Sequence, residues 1–424
     1  MQQFSLPATE PRAHDPWAVA LANASLLGIG YLMIGRRRLA AASALITLVL
    51  ITVLASVARS VWMEIVVALW WATVIGHGWA LAARAPRSRM WRHRALAFAV
   101  TLAVLAAVTL LRVDADAIGH RVDLARDAGS CMRADAAASR VWFGDRVADA
   151  PRTASIDRTV HACELTRSAT AQLDTALGGD IGSLAAAFTT LHTVLTRFPG
   201  HEEAVRLTLD PFLAKLPAND PCHTVTLTDW LTRRPADGTL LDHASTVAAR
   251  LALTAFHACQ LATLRTLLQT PYPGEQPDYC SRPQPYGAAK AYGRPGPDAA
   301  LIFGNDSDTG QFPAEWRAHD ASDAVLILCA GPTRFGDVVQ TCPYHSETTQ
   351  WDGEVTFQKH AIPLRAYEVR TARIVFDGQI QIDGASCPQH LSYTYHGIDV
   401  PPSHVYVTSA DSDVRAAFNS LINP

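Results

Sequence analysis

The uneven placement of cysteine and of long apolar runs divides this chain into two very different parts. All eight cysteines lie beyond residue 130. The first 113 residues contain no cysteine, but they contain four long apolar runs. Each run has about 19–23 residues, enough for a helix to cross roughly 30 Å of hydrocarbon. An even set of cysteines is typical of disulfides in an oxidising compartment. The sequence therefore predicts a membrane anchor that carries a disulfide-bonded part outside the cytoplasm.

Length and charge limit the possible classes of protein. A chain of 424 residues is long enough for two or three domains. The net charge of −3 provides no basic field, which argues against nucleic acid as a partner. Lysine occurs only at Lys215, Lys290 and Lys359, so arginine carries nearly all of the positive charge. That bias, with abundant alanine, is typical of a GC-rich bacterial genome.

We predict four transmembrane helices after an N-terminal tail at residues 1–16. A cleavable signal peptide is not favoured, because three further apolar runs follow the first. The predicted spans are 17–35, 39–57, 61–83 and 95–113.

Arginine in the short loops predicts the orientation of these spans, because Lys and Arg resist translocation. The loop after the first span is Arg36-Arg37-Arg38, and a second cluster follows the third span. Both loops are expected in the cytoplasm, which places both chain termini outside a bacterial cytoplasmic membrane. The second cluster consists of Arg84, Arg87, Arg89, Arg92 and Arg94.

Two polar residues of the third span are candidates for a site in the membrane. Glu64 lies in the first turn, where its carboxylate would reach interfacial water, and His77 would face another helix. A transporter usually places several charged groups near the middle of the membrane, and these spans have almost none.

The glycines of the first span form a recognisable pattern. Gly28-Ile29-Gly30-Tyr31, followed by Gly35, resembles the glycine-glycine-tyrosine-glycine pattern of small bacterial integral membrane proteins of unknown role. A small-residue face for helix contact accounts for the same glycines.

Residues 114–278 have the three- and four-residue apolar spacing of amphipathic helices. One such helix is expected over 184–200, where Pro199-Gly200 would end it. Residues 179–204, with Gly179-Asp180, Phe188 and Pro199, resemble the second helix of a tetratricopeptide repeat. The resemblance implies an α-helical binding scaffold, although any pair of amphipathic helices could give the same pattern.

Residues 279–424 change to the alternating pattern of short strands separated by Gly, Pro, Asn and Asp, which predicts a small β-sandwich. The order of LILC at 326–329, TCPY at 341–344, RTAR at 370–373 and Cys387-Pro388 resembles an uncharacterised extracytoplasmic domain of bacterial membrane proteins of actinobacterial type. That resemblance concerns fold and compartment only.

The eight cysteines allow about 105 pairings, of which one set is favoured. The first two bridges would tie neighbouring helices, the third would close a hairpin of the strands 324–329 and 337–342, and the last pair takes the remaining cysteines. The set is Cys131–Cys163, Cys222–Cys259, Cys329–Cys342 and Cys280–Cys387.

Metal-binding patterns fail on geometry, so we predict no metal and no cofactor. His161 and Cys163 are two residues apart and would point about 200° apart on a helix. The pairs Cys222-His223 and His257/Cys259 have no C-x-x-C partner. The loop 304–310 fails as a calcium loop, because Gln311 and Arg317 replace the required glycine and glutamate.

Catalytic motifs are equally absent from the sequence. His201-Glu202-Glu203 lacks the second histidine of a zinc protease, since Val205 occupies that position. The chain has no G-x-S-x-G, P-loop or S-x-x-K arrangement, so its catalytic residues are unknown.

The sequence therefore predicts a membrane-anchored, non-catalytic binding protein of the bacterial cell envelope. Its partners would be the bilayer and a protein or envelope polymer outside the membrane. The alternative is a hydrolase-like extracytoplasmic enzyme without a recognisable motif, which a cleft with two perturbed carboxylates would favour. A thiol oxidoreductase is disfavoured, because no cysteine lies in the predicted spans.

Overall fold

The computed structural model of the chain forms two compact units. Unit 1 consists of Met1–Lys215 and Pro235–Ala244, and unit 2 of Leu216–Arg234 and Ser245–Pro424. The structure describes residues 15–25, 28–84, 91–270, 272, 274–305, 312–346, 351–394 and 401–424. Most of the N-terminal tail, Arg87 and Arg89 of the predicted cytoplasmic loop, and 306–310 of the rejected calcium loop lie outside these residues.

Helices build the described part of unit 1. They are α1 (Pro16–Asn23), α2 (Ile29–Met33), α3 (Arg37–Ser56), α4 (Val61–Ala83), α5 (Trp91–Asp127), α6 (Cys131–Ala138), α7 (Phe143–Ala148), α8 (Ala150–Ala176), α9 (Ile181–Arg197) and α10 (Glu202–Lys215).

Three of the long apolar helices correspond to predicted spans. By length and composition, α3, α4 and the part of α5 from Arg94 onward can each cross a membrane, and so can the later helix Asp242–Leu267. Helix α5 does not end at the predicted limit of the fourth span, residue 113, but continues to Asp127. The apolar run sets where a helix can lie in hydrocarbon, whereas a helix ends only where its hydrogen bonding stops.

The predicted first span, 17–35, is two short helices rather than one continuous helix. Helix α1 begins beside the start of α5, where Asp15 binds Arg94, and it ends where the Trp71 indole donates to the Ala24 carbonyl at 3.1 Å. The chain then turns at Gly28, which has φ +63°, and α2 leads back to Arg36 at the start of α3. Eight residues rise only about 12 Å, which is shorter than a membrane span, and α1 and α2 form a helical hairpin.

Polar groups of α4 and α5 are the hydrogen-bond partners of the buried end of α1. Thr101 Oγ1 donates to the Leu21 carbonyl at 2.7 Å, and Asn23 Nδ2 donates to the Val74 carbonyl at 3.2 Å. Buried backbone that leaves a helix is stable only where such partners exist. Hydropathy detects the length of an apolar run and not whether a single helix extends through it, which is why the sequence predicted a full span.

The remaining helices of unit 1 pack with the C-terminal part of α5 and with one another. Ile118 and Val122 of α5 share a core with Ala134 of α6 and Ile156 of α8. In α9 the predicted apolar face is buried, including Leu184, and Gly200 has the positive φ of a residue after a helix end. The helix lengths do not repeat, since α8 has 27 residues and α9 has 17, so the tetratricopeptide resemblance is not supported.

Unit 2 combines two helices from the central region with a mixed sheet and a terminal helix. The elements are α11 (Pro221–Arg233), α12 (Asp242–Leu267, from residue 245 onward), β1 (Ala300–Phe303), β2 (Leu326–Ala330), β3 (Arg334–Ser346), β4 (Trp351–Glu368), β5 (Ile374–Ile382), β6 (His404–Tyr406) and α13 (Asp411–Ile422). The two longest strands, β3 and β4, form a hairpin, with Tyr344 on β3 and Trp351 on β4.

The six strands form one sheet and not the predicted sandwich. The 18-residue strand β4 pairs antiparallel with β2, β3 and β5 and parallel with β6. Two predicted short strands, 354–359 and 364–370, are merged in β4 across Pro363. Because four strands pair with β4 and β1 pairs with β2, all six strands belong to one hydrogen-bonded sheet.

Around β2 and the C-terminal half of β4, both faces of the sheet are covered. On one face, Leu328 and Leu364 pack against Phe418 of α13. On the other, Ile327 and Tyr367 pack against Tyr279 and the end of α12 at Leu264. Every residue of β2 is buried, as expected for a central strand.

All eight cysteines are paired, and the structure corrects half of the predicted set. Cys131–Cys163 and Cys222–Cys259 occur as predicted, whereas Cys329–Cys342 and Cys280–Cys387 are replaced by Cys280–Cys329 and Cys342–Cys387.

The positions along β4 explain the correction. Cys329 lies opposite Arg365 and Cys342 lies opposite Val355, so the two cysteines are about ten residues apart along the strand. That separation is roughly 33 Å, far beyond the reach of a disulfide. The predicted hairpin of β2 with β3 is wrong for the same reason, because each pairs with a different part of β4.

Candidate functional site

A large apolar cavity opens among the long apolar helices of unit 1. Its volume is about 580 Å³, within the range of roughly 300–1,000 Å³ that is usual for small-molecule sites. It extends from Ala24 and Trp71, at the tip of the α1–α2 hairpin, to Glu64 and Arg112. The seven residues of α4 between Glu64 and Trp71 make it about 10 Å deep. Helices α3, α4, α5 and α7 provide the lining, which includes Ile51, Leu54, Val67, Val104, Leu105, Val108 and Val147.

A polar rim closes one end of the cavity. Arg112 Nη2 lies 3.4 Å from Glu64 Oε2, and the Glu64 side chain is 23% exposed. Glu64 also accepts from the Ala150 amide at 3.3 Å, while Arg112 Nε donates to the Ala148 carbonyl at 2.6 Å. The carboxylate therefore lies at the N-terminus of α8 and the guanidinium at the C-terminus of α7, where each charge complements the helix dipole.

Helix α7 covers the rim with aromatic residues. Trp142 and Phe143 line the cavity and are more than half exposed, as is Trp62 at the same end of α4. At the other end of the bundle, Trp17 and Trp91 are also exposed. Exposed indole rings at both ends of apolar helices are typical of membrane interfaces. From residue 62 to the end of α4 the rise is about 31 Å, which matches the hydrocarbon thickness.

The sequence candidate His77 belongs to a second polar cluster in the same bundle. Its Nδ1 lies 2.9 Å from the Tyr31 hydroxyl, and Tyr31 belongs to the returning helix α2. Asn23 is fully buried, and its Oδ1 has no hydrogen-bond partner among the described residues. A Cβ at Gly78 would lie 2.1 Å from Asn23 Nδ2, and one at Gly30 would lie 2.5 Å from Asn23 Oδ1. Two glycines thus leave the space that the asparagine occupies.

The histidines and cysteines that invited a metal interpretation are not brought together. Cys163, Cys222 and Cys259 are all in disulfides. His161 Nδ1 instead faces Glu164 Oε2 at 3.4 Å on the surface of α8. No group of three potential metal ligands occurs within the described residues.

His201 has a structural environment at the start of α10. It is buried against Phe198, and its Nδ1 lies 2.9 Å from the Phe198 carbonyl. Burial lowers the pKa of His201, which keeps the ring neutral near pH 7. Glu202 and Glu203 form the first turn of α10, where carboxylates favour the helix N-terminus.

One pair of carboxylates in unit 2 bears on the enzyme alternative. Asp298 and Glu368 are both buried, and they accept from the consecutive amides of Gly293 and Tyr292. Burial raises the pKa of Asp298, with the charge of Glu368 adding to the effect. Burial also opposes ionisation of Glu368, but hydrogen bonds from Thr371 and Tyr292 hold its pKa below the usual value. The pair fastens the loop that precedes β1, which is a structural role.

Comparisons add no relative to this geometry. No protein-family model matches the chain, and neither the curated proteins nor the solved structures provided a match. The cavity is therefore interpreted from its own residues.

Proposed function

We propose that this chain is a membrane-anchored binding protein of a cell envelope whose cavity holds the acyl chain of a lipid. The observation that carries the proposal is the apolar cavity with a single ion pair at its rim, between helices that are long enough to cross a bilayer. An apolar wall binds hydrocarbon, and a few polar groups at the mouth fix the orientation of the head group.

The proposed orientation follows from the arginine clusters and the disulfides. Arg36–Arg38 lie at the start of α3, at the end of the bundle opposite Glu64, so that end would face the cytoplasm. The disulfide-bonded elements follow α5 at the other end, which would be the oxidising side. With α1 and α2 as a re-entrant hairpin, three helices cross, and residue 15 would lie on the cytoplasmic side rather than outside.

The lipid proposal is tested by co-purification. The full chain is extracted in mild detergent, and bound lipid per protein is measured by native mass spectrometry for the wild type, Val108→Trp and Leu69→Trp. Val108 lines the cavity, whereas Leu69 lies on α4 outside it and is 63% exposed. We expect Val108→Trp to lose bound lipid and Leu69→Trp to retain it. Equal retention by the two variants, or no lipid on the wild type, would refute the proposal.

A smaller substitution guards against misfolding. Ala68 lines the cavity and Ala72, one turn later on α4, does not. Ala68→Leu should reduce bound lipid while Ala72→Leu leaves it unchanged. Formation of all four disulfides in both variants shows that each has folded.

The orientation has its own test. Impermeant maleimide applied to intact cells should label the cysteines only after reduction, because all eight are paired. A cysteine introduced at residue 37 should be labelled only after lysis. Labelling of that cysteine in intact cells would contradict the orientation and leave the lipid test unaffected.

A further inference from the structure

A second pocket, on the face of α5 that points away from the apolar cavity, is lined by three arginines. It has a volume of about 350 Å³ and an apolar floor of Leu124, Ala125, Ala136 and Ala137. Arg121 on α5, Arg133 on α6 and Arg140 after α6 surround that floor.

These arginines lack the acidic partners that their neighbours have. Within the described residues, none of the three has a carboxylate within 4 Å, whereas Arg112, Arg126, Arg152 and Arg167 each do. Positions three and four residues before and after each arginine hold no acidic residue. Three unpaired guanidinium groups around one pocket repel one another, and an anion would relieve that repulsion.

The pocket continues an apolar stripe of the membrane segment. Leu110, Val113, Ala117, Arg121 and Leu124 follow at intervals of three or four residues, so they share one face of α5. Leu110 and Val113 are 70% and 62% exposed, as expected for a lipid-facing surface.

The geometry of this stripe suits a lipid head group. Arg121 lies about 12 Å beyond Val113, and side chains on a helix lean toward its N-terminus, which here is toward the bilayer. Asp114 is the exposed carboxylate nearest to Arg121 along this face of α5. Its single negative charge is smaller than the positive charge of the three arginines.

From the unpaired charges and the stripe we infer that the Arg121, Arg133 and Arg140 pocket binds the phosphate head group of an anionic lipid in the outer leaflet. The inference rests on the proposed placement of α5 across the bilayer. Basic pockets beside membrane helices recognise anionic head groups, and each arginine contributes a factor of about five in affinity.

The test compares two triple variants with the same change in charge. The pocket variant is Arg121→Gln/Arg133→Gln/Arg140→Gln, and the control is Arg158→Gln/Arg197→Gln/Arg206→Gln, whose residues lie elsewhere in unit 1. The full chain in nanodiscs is titrated with phosphatidylglycerol or phosphatidylcholine. We expect the preference for phosphatidylglycerol to fall by on the order of 100-fold in the pocket variant and to stay within about fivefold in the control.

Two outcomes overturn the inference. One is an equal loss in both variants, which would indicate a general charge effect. The other is a wild type that binds inorganic phosphate in detergent as tightly as the lipid, which would indicate a soluble anion. Val108→Trp should retain the phosphatidylglycerol preference, because Val108 lies on the other face of α5, so failure of this inference is distinguishable from failure of the cavity proposal.

Discussion

Replacing Cys342 alone by alanine should expose the thiol of Cys387. In the structure these two cysteines form one bridge, whereas the pairing predicted from the sequence joins Cys342 to Cys329. The variant Cys342→Ala therefore distinguishes the two pairings by the identity of its free thiol.

The energetic effect follows from the length of chain that the bridge closes. Cys342 and Cys387 are separated by 45 positions, for which chain entropy predicts a loss of about 4 kcal/mol in the Cys342→Ala/Cys387→Ala variant. Unit 2 has about 200 residues, a size at which 1 kcal/mol corresponds to roughly 2–4 °C. We expect its unfolding midpoint to fall by about 8–16 °C.

The assay uses the full chain in detergent. The single variant is denatured without reductant, labelled with a maleimide and mapped by mass spectrometry, and the double variant is melted by circular dichroism. Cys280→Ala/Cys329→Ala closes a similar loop of 49 positions and serves as the matched control, with a loss of similar size. A label on Cys329 in the single variant would refute the pairing, and a midpoint shift below about 2 °C in the double variant would refute the entropic argument.

Three further predictions concern packing and charge. Gly78→Ala should destabilise the bundle by about 1–3 kcal/mol, because the new methyl group would clash with Asn23. Gly76→Ala has nothing within 4 Å of the new methyl group, so it should be neutral or stabilise the bundle by up to about 1 kcal/mol. Unfolding of each variant in a series of increasingly denaturing detergent measures both changes in stability. Phe418→Ala should cost unit 2 about 3–5 kcal/mol, because the ring is buried edge-on to Phe312, and a loss under 1 kcal/mol in urea titration would contradict the core assignment. Because the fold raises the pKa of Asp298, the folded state binds the extra proton and loses stability as pH rises from about 3.8. Asp298→Asn should remove that loss, so melting curves between pH 3 and 7 should show its advantage over the wild type growing with pH, and a constant difference would contradict the prediction.

The candidate site was accessible to sequence reasoning only in part. Glu64 was predicted at the water interface, and the structure places its carboxylate partly exposed beside Arg112. The cavity itself had no sequence signal, because its walls come from helices whose contact depends on how the chain folds back. The arginine pocket left a faint signal, since Arg121, Arg133 and Arg140 lack acidic residues at helical spacing.

Local chemistry set the features that the sequence could determine. Apolar length defines α3, α4 and α5 as helices that can cross a membrane, and the period of the pattern separates helices from strands. Two disulfides followed because Cys131–Cys163 and Cys222–Cys259 each join neighbouring helices.

Contacts between distant segments decided the rest. The break of 17–35 into a hairpin depends on Thr101 and Trp71, which supply partners for α1 from far along the chain. The bridges in unit 2 depend on the register of β2 and β3 along β4, and a single strand that pairs with four others has no local signature. Sequence period and composition report the environment of a residue, whereas its partner is chosen by tertiary packing.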